Sequence, residues 1–169
     1  MKRGLARIWA HLACDARHVR RAFPDDSLRR IEQAVADGER RHSAEIRIAI
    51  EASLSWHRLI KGLAPRERAL QVFADLGVWD TEANNGVLLY LLMADHAIEV
   101  VADRAAAATL GAAELQRICN DLSQALRAGD HEGALLAAVA TLHDDLAEAF
   151  PLLSPEGDRN ELPDPPTIL

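Results

Sequence analysis

Cysteines, basic residues and long apolar runs are all in short supply in this chain. Its two cysteines, Cys14 and Cys119, share no metal-ligand spacing, so neither a disulfide framework nor a zinc site is indicated, and a reducing cytoplasm is the expected compartment. No stretch approaches the roughly 18 to 20 apolar residues of a transmembrane helix. Near the N-terminus, Leu5, Ile8, Trp9 and Leu12 are interrupted by Arg7 and His11, which leaves no continuous apolar region of a secretion signal. With 19 Lys and Arg against 26 Asp and Glu, the formal charge is -7, which argues against a general nucleic-acid partner because phosphate contacts need a basic face. Nucleophile elbow, phosphate loop and paired metal-binding histidines are all missing. No catalytic residue is therefore assigned, and no organic cofactor is expected.

What is present describes one soluble globular domain: 169 residues, 49% apolar and 27% charged. The charge is unevenly spread. Residues 1–23 carry Lys2, Arg3, Arg7, Arg17, Arg20 and Arg21 against Asp15, a balance of +5 that leaves -12 for the rest. Apolar positions 5, 8, 9 and 12 within Lys2 to Arg21 have the spacing of one helical face, so a basic amphipathic helix is expected. Two readings of it stand: a reversible membrane-surface or acidic-partner contact through Trp9 and the arginines, or a helix that packs on the domain.

The remaining pattern alternates between helix and strand. Phe23 to Ser27 is a helix start signal, and a helix from about Ser27 to Arg41 buries Leu28, Ile31 and Val35. Residues 44–52 alternate, with Ile46, Ile48 and Ile50 facing one way and Glu45, Arg47, Ala49 and Glu51 the other, as in a half-buried strand. After a connection over 54–64, Pro65 opens a helix to Leu76 with Leu70, Phe73 and Leu76 inward and Gly77 as its left-handed cap. The eight apolar residues Val87 to Ala94 read as a central strand covered on both faces, turning back at Asp95-His96 into Ala97–Asp103. Helices over 110–127 and 133–150 follow, and His143-Asp144-Asp145 reads as a solvated helix face. The prediction is an α/β fold, a small mixed β-sheet sandwiched between helices. It divides into an N-terminal helix (1–23), the α/β domain (24–150) and an extended proline-rich tail (151–169) anchored by Leu162, Ile168 or Leu169.

Asp80-Thr81-Glu82-Ala83-Asn84-Asn85-Gly86-Val87-Leu88-Leu89, then Ala94-Asp95, then Ile98-Glu99-Val100-Val101-Ala102-Asp103-Arg104, resemble the core of the TPM domain family. Ala44 to Ile50 resembles that family's first strand, and Asn160-Glu161-Leu162-Pro163 the tail of its short, stand-alone bacterial members. The resemblance implies an α/β/α sandwich, divalent-cation binding as in some members, and a proposed acid-phosphatase activity. Where many members have a glycine-rich turn after the Asp-Arg pair, this chain has Ala105 to Ala108, which favours helix.

A two-residue turn at Asp95-His96 would pair Ala94 with Ala97 and set Leu88 opposite Asp103 and Gly86 near Ala105. Asp103 would then share a sheet end with Asn84 and Asn85, with Asp80 on the loop beside them. Asp95 would lie about eight residues along the strand, roughly 26 Å away. Carboxylate and carboxamide oxygens suit a hard cation, so Asp80, Asn84, Asn85 and Asp103 are the candidate ligands for Ca²⁺ or Mg²⁺. The competing reading is turn chemistry, with Asn84-Asn85-Gly86 shaping a tight turn and Asp103 capping a strand end or pairing with Arg104. Asp95-His96, near Ser53, Ser55 and His57, is the second candidate, at the end of the parallel strands where α/β sheets often bind ligands; a polar hairpin turn is the simpler explanation of it. Two functions follow: a non-enzymatic divalent-cation-binding or interaction module, with an unidentified protein partner or a membrane-associated assembly, or a metal-assisted, acid-phosphatase-like hydrolase.

Overall fold

The structure is a computed structural model that describes residues 2–152 and 160–169, with side chains described from residue 5 onward. The expected α/β fold is present. Among the described residues, seven α-helices surround one four-stranded sheet of order β3-β2-β1-β4. Strands β1 (Ile46–Glu51) and β2 (Val87–Leu92) run parallel, joined through α4 (Trp56–Ile60) and α5 (Pro65–Asp75). Strand β3 (Ala97–Ala102) returns antiparallel to β2, and the two-residue β4 (Thr167–Ile168) runs parallel to β1 at the other edge.

Strand periodicity divides the core. Ile46, Ile48 and Ile50 with Val87, Leu89 and Leu91 pack beneath α3 (Asp25–Glu39), α6 (Arg104–Arg127) and α7 (His131–Ala149). On the other face Ala49, Leu88, Tyr90 and Leu92 meet α4, α5 and the tail through Leu59, Ala69, Val72 and Leu162. Gly77 is left-handed at φ 68 after α5, as its position predicts. The alanine run is helical from Arg104, and the non-helical backbone of Gly111 (φ 76, ψ 154) kinks α6.

Several expectations are corrected. The basic N-terminal segment is two helices, α1 (Lys2–Ala13) and α2 (Ala16–Ala22), because the Asp15 carboxylate caps a new start by accepting the N–H groups of Arg17 and His18. The buried residues of α5 are Arg68, Ala69 and Val72; Phe73 and Leu76 pack partly buried against the same core, as expected, while Leu70 is exposed. Strand β1 is buried along its whole length rather than half-buried. Its polar side is covered by α5 and the C-terminal tail, which supply a partner for each charge. Arg68 Nε and Tyr90 Oη donate to Glu51 Oε2 at 2.8 and 2.7 Å. The Glu161 and Leu162 N–H groups donate to Glu45, and Arg47 donates to the Pro163 and Pro165 carbonyls and Thr167 Oγ1. Buried charges persist where such partners exist. Leu162 is the buried anchor of the tail, and Ile168 and Leu169 are exposed. His143 is buried rather than solvated.

The hairpin register also differs. A short 3₁₀ turn over Met93–Asp95 and a left-handed His96 (φ 49, ψ 36) separate the strands, so Leu92 pairs with Ala97 and Leu88 with Val101. The shift is two residues. Because strand side chains alternate with period two, every residue keeps its face and only its position along the ladder moves.

Candidate functional site

The register brings the chain after Asn84-Asn85-Gly86 directly against the end of β3. The Asp103 N–H donates to the Gly86 carbonyl at 2.8 Å, and the Ala105 N–H to the Asn84 carbonyl at 3.0 Å. The loop is built locally. Asn84 N–H donates to the Thr81 carbonyl at 3.2 Å, and the Asn85 N–H to Thr81 Oγ1 at 3.1 Å. Asn84 takes the left-handed conformation at φ 53 that asparagine tolerates better than most side chains. A Cβ on Gly86 would collide with the Val78 carbonyl oxygen, so only glycine passes there.

The four candidate ligands are placed differently. Asn85 is fully buried; its Nδ2 donates to the Ser43 carbonyl at 2.7 Å, and its Oδ1 is buried without a hydrogen-bond partner. Asp103 caps α6, its Oδ1 accepting the Arg104 N–H at 2.7 Å while its Oδ2 is also buried and unpartnered. Asn84 Oδ1 accepts from the Arg104 guanidinium at 2.9 Å. Asp80 begins the loop in an exposed position, and among the described residues its carboxylate has no hydrogen bond or ion pair with the other three. Asn84, Asn85 and Asp103 are thus brought together, with Asp80 at the rim. Among the described residues no three His, Cys, Asp or Glu side chains cluster as metal ligands, so any cation here relies on carboxamide and carbonyl oxygens beside the carboxylates.

Turn chemistry accounts for the backbone of this loop and for one oxygen of Asp103. It leaves Asn85 Oδ1 and Asp103 Oδ2 without explanation. A buried acceptor with no donor costs about 1–3 kcal/mol, more when it is charged. Carboxylate and carboxamide oxygens are the ligand type that Ca²⁺ or Mg²⁺ takes, so these two are the atoms on which a cation site here would be built. Two features work against it: α6 points its positive N-terminal end at the cluster, and Arg104 occupies Asn84 Oδ1. Ser43, Thr81, Gly86 and Arg104 shape the site; the Thr81 to Asn85 spacing was the sequence signal for one of these contacts.

Asp95, at the opposite sheet end, is a structural clamp. Arg7 Nε and Nη2 donate to its two oxygens at 2.9 and 2.8 Å, and His11 Nε2 lies 3.0 Å from Oδ1. Burial opposes ionisation of Asp95, but Arg7 and His11 outweigh it and hold the carboxyl below its ordinary range. No local pattern points to this contact, since 88 residues separate Arg7 from Asp95.

The fold is a mixed four-stranded sheet between two helical layers, with Asn84-Asn85-Gly86 leading into β2 and Asp103-Arg104 leaving β3. The TPM domain matches residues 20–145, and the chain belongs to that family. The NMR structure of the BA42 protein from the psychrophilic bacterium Bizionia argentinensis shares the fold, with a TM-score of 0.74 and 23% identity over 85% of this chain and 93% of that one. No curated protein matches the chain. Among the described residues no helix is long and apolar enough to cross a membrane.

Proposed function

We propose that this protein is a non-enzymatic divalent-cation-binding module that presents its loaded loop to a protein partner in a reducing compartment such as the cytoplasm. Asp103 and Asn85 would hold Ca²⁺ or Mg²⁺, with Asn84 joining when Arg104 swings aside and Asp80 completing the rim. The observation that carries this reading is the pair of buried, unpartnered oxygens, Asn85 Oδ1 and Asp103 Oδ2. With at most two carboxylates the affinity belongs in the weak range, about 0.1–1 mM.

Hydrolysis is the weaker alternative. A metal-assisted phosphatase needs a base for water and cationic groups for the phosphoryl oxygens, and at the cluster the one guanidinium, that of Arg104, is held by Asn84. Calorimetric titration with Ca²⁺ and Mg²⁺ tests the proposal on the wild type, on Asp103→Asn, which keeps a cap acceptor, and on the Asp80→Ala/Asp103→Ala pair. Heat of binding in the wild type that is lost in both variants supports it. Silence up to several millimolar cation, on the order of ten times the expected dissociation constant, sinks it. Turnover of p-nitrophenyl phosphate that needs the cation and disappears in Asp103→Asn would move the conclusion to the hydrolase.

A further inference from the structure

At the sheet end opposite the oxygen cluster, large apolar side chains stand in solvent. Leu5, Trp9 and Leu12 of α1 are 58%, 70% and 63% exposed, and their spacing of four and three residues sets them on one side of the helix. The other side is fixed to the domain by Arg7 and His11 on Asp95 and by the Leu54 N–H donating to His11 Nδ1 at 2.9 Å. On α4, Trp56 and Ile60, one turn apart, are 58% and 63% exposed. Leu12, Trp56 and Leu169 line one cleft of about 400 Å³, which sets α1 beside α4. The same cleft reaches Asp15 and Ala16, where α2 begins with exposed Arg17, Arg20 and Arg21; exposed Lys61 follows Ile60. Asp15 is occupied in capping α2 and pairing with His18 at 2.8 Å.

Isolated exposed apolar residues need no explanation, but five large ones on two neighbouring helices, two of them tryptophans, beside exposed arginines do. We infer that this face is a docking surface for an anionic lipid membrane. The leucines, Ile60 and the tryptophans would enter the boundary between headgroups and acyl chains, where indole rings are favoured, and the arginines and Lys61 would meet the headgroup charges. Charge complementarity selects this occupant: the chain is acidic overall at -7, yet exposed Arg17, Arg20, Arg21 and Lys61 stand at this end, so it is the end an acidic surface attracts. The surface differs from a lone amphipathic helix. Arg7 is spent on Asp95, α4 contributes Trp56 and Ile60, and the Arg7–Asp95–His11 clamp fixes α1 to the domain with Leu5, Trp9 and Leu12 exposed. The inference does not rest on the cation reading, whose residues lie at the other end of the sheet.

Sedimentation of the full chain with vesicles of equimolar phosphatidylcholine and phosphatidylglycerol tests it, with pure phosphatidylcholine vesicles as comparison. The wild type should pellet with the anionic vesicles and mostly stay in solution with the neutral ones. Trp9→Ser/Trp56→Ser should lower the partition coefficient about tenfold or more, and Arg17→Gln/Arg20→Gln should lower it about fivefold per charge removed. Both changes are at exposed positions, and far-UV circular dichroism checks that the fold is retained. Trp79→Phe, at the opposite sheet end, should leave partitioning unchanged and make Trp9 and Trp56 the only indole emitters, whose emission should shift to the blue on vesicle binding. The inference is overturned if the wild type stays in solution with anionic vesicles, or if the folded Trp9→Ser/Trp56→Ser variant pellets as the wild type does. A lipid-independent dimer that this variant abolishes, with no pelleting, would give the face to a second copy of the chain.

Discussion

Acidification from about pH 7 to about pH 5 should remove about 4 kcal/mol of stability through one pair of side chains. His42, in the turn after α3, and His143, on α7, are 0% and 2% exposed, with His42 Nε2 2.7 Å from His143 Nδ1. The Ala44 N–H donates to His42 Nδ1 at 3.2 Å, so Nε2 carries the proton and donates to His143. Gly38 of α3 lies so close to the His143 ring that a Cβ there would collide with it. Burial pushes both imidazoles from the ordinary 6.5 to about 4. The folded values are below the unfolded one, so the unfolded chain binds more protons between about pH 6.5 and 4. Stability therefore rises with pH across that window, is fully present above it, and levels off below it. Between about pH 7 and 5 the difference is about 2 kcal/mol per histidine, a large part of the roughly 5–15 kcal/mol that a domain possesses. The two rings touch, so the protons are taken up by the pair rather than by either residue alone. Urea denaturation across this range, on the wild type and on His42→Leu/His143→Leu, measures the effect. Displaced carboxyl groups common to both proteins, Asp95 downward and Asp145 upward, cancel in the comparison. Parallel pH profiles for the two proteins would refute the reasoning; a flatter profile in the variant, with about 4 kcal/mol less dependence, is expected.

Other perturbations test the loop, the buried charges and the tail. Arg104→Ala frees Asn84 Oδ1 and removes a competing positive charge, so the proposed cation affinity should rise a few-fold in calorimetry; an unchanged or weaker affinity would remove Asn84 from the ligand set. Gly86→Ala should destabilise by about 3 kcal/mol or more in chemical denaturation, since its Cβ meets the backbone of Val78 rather than a side chain that can move. Glu51→Leu leaves the buried Arg68 without its carboxylate and should cost about 3–5 kcal/mol. A chain ending at Leu152 loses β4 and the partners of Glu45 and Arg47; its midpoint should fall by about 5 °C or more in a thermal scan, and light scattering should reveal association through the uncovered edge of β1.

The helices and strands were legible because their signals are local. Pro65 with Gly77, and the apolar run from Val87, carry caps and periodicities that fix their own conformation. The errors fell where local pattern is silent about neighbours. Alternation in β1 identified its two faces correctly, but it says nothing of whether water or a C-terminal tail more than a hundred positions away covers the polar one. On α5, Leu70 looked like a core residue, yet the burial goes to Arg68 because Glu51 on β1 awaits it. The turn at residues 93–96 is longer than its two polar residues suggest, and that length set the register.

By itself, then, the sequence determined the α/β order of the elements, the paired faces of the sheet and the oxygen-rich chemistry of the loop before β2, since each follows from the spacing of neighbouring residues. Tertiary structure alone decided which oxygens of Asn85 and Asp103 go without partners, that Asp95 clamps α1, that His42 meets His143, and that Leu12 and Trp56 line one cleft. Each depends on contacts between residues about 20 to 120 positions apart, where local periodicity carries no information about which chain segments meet.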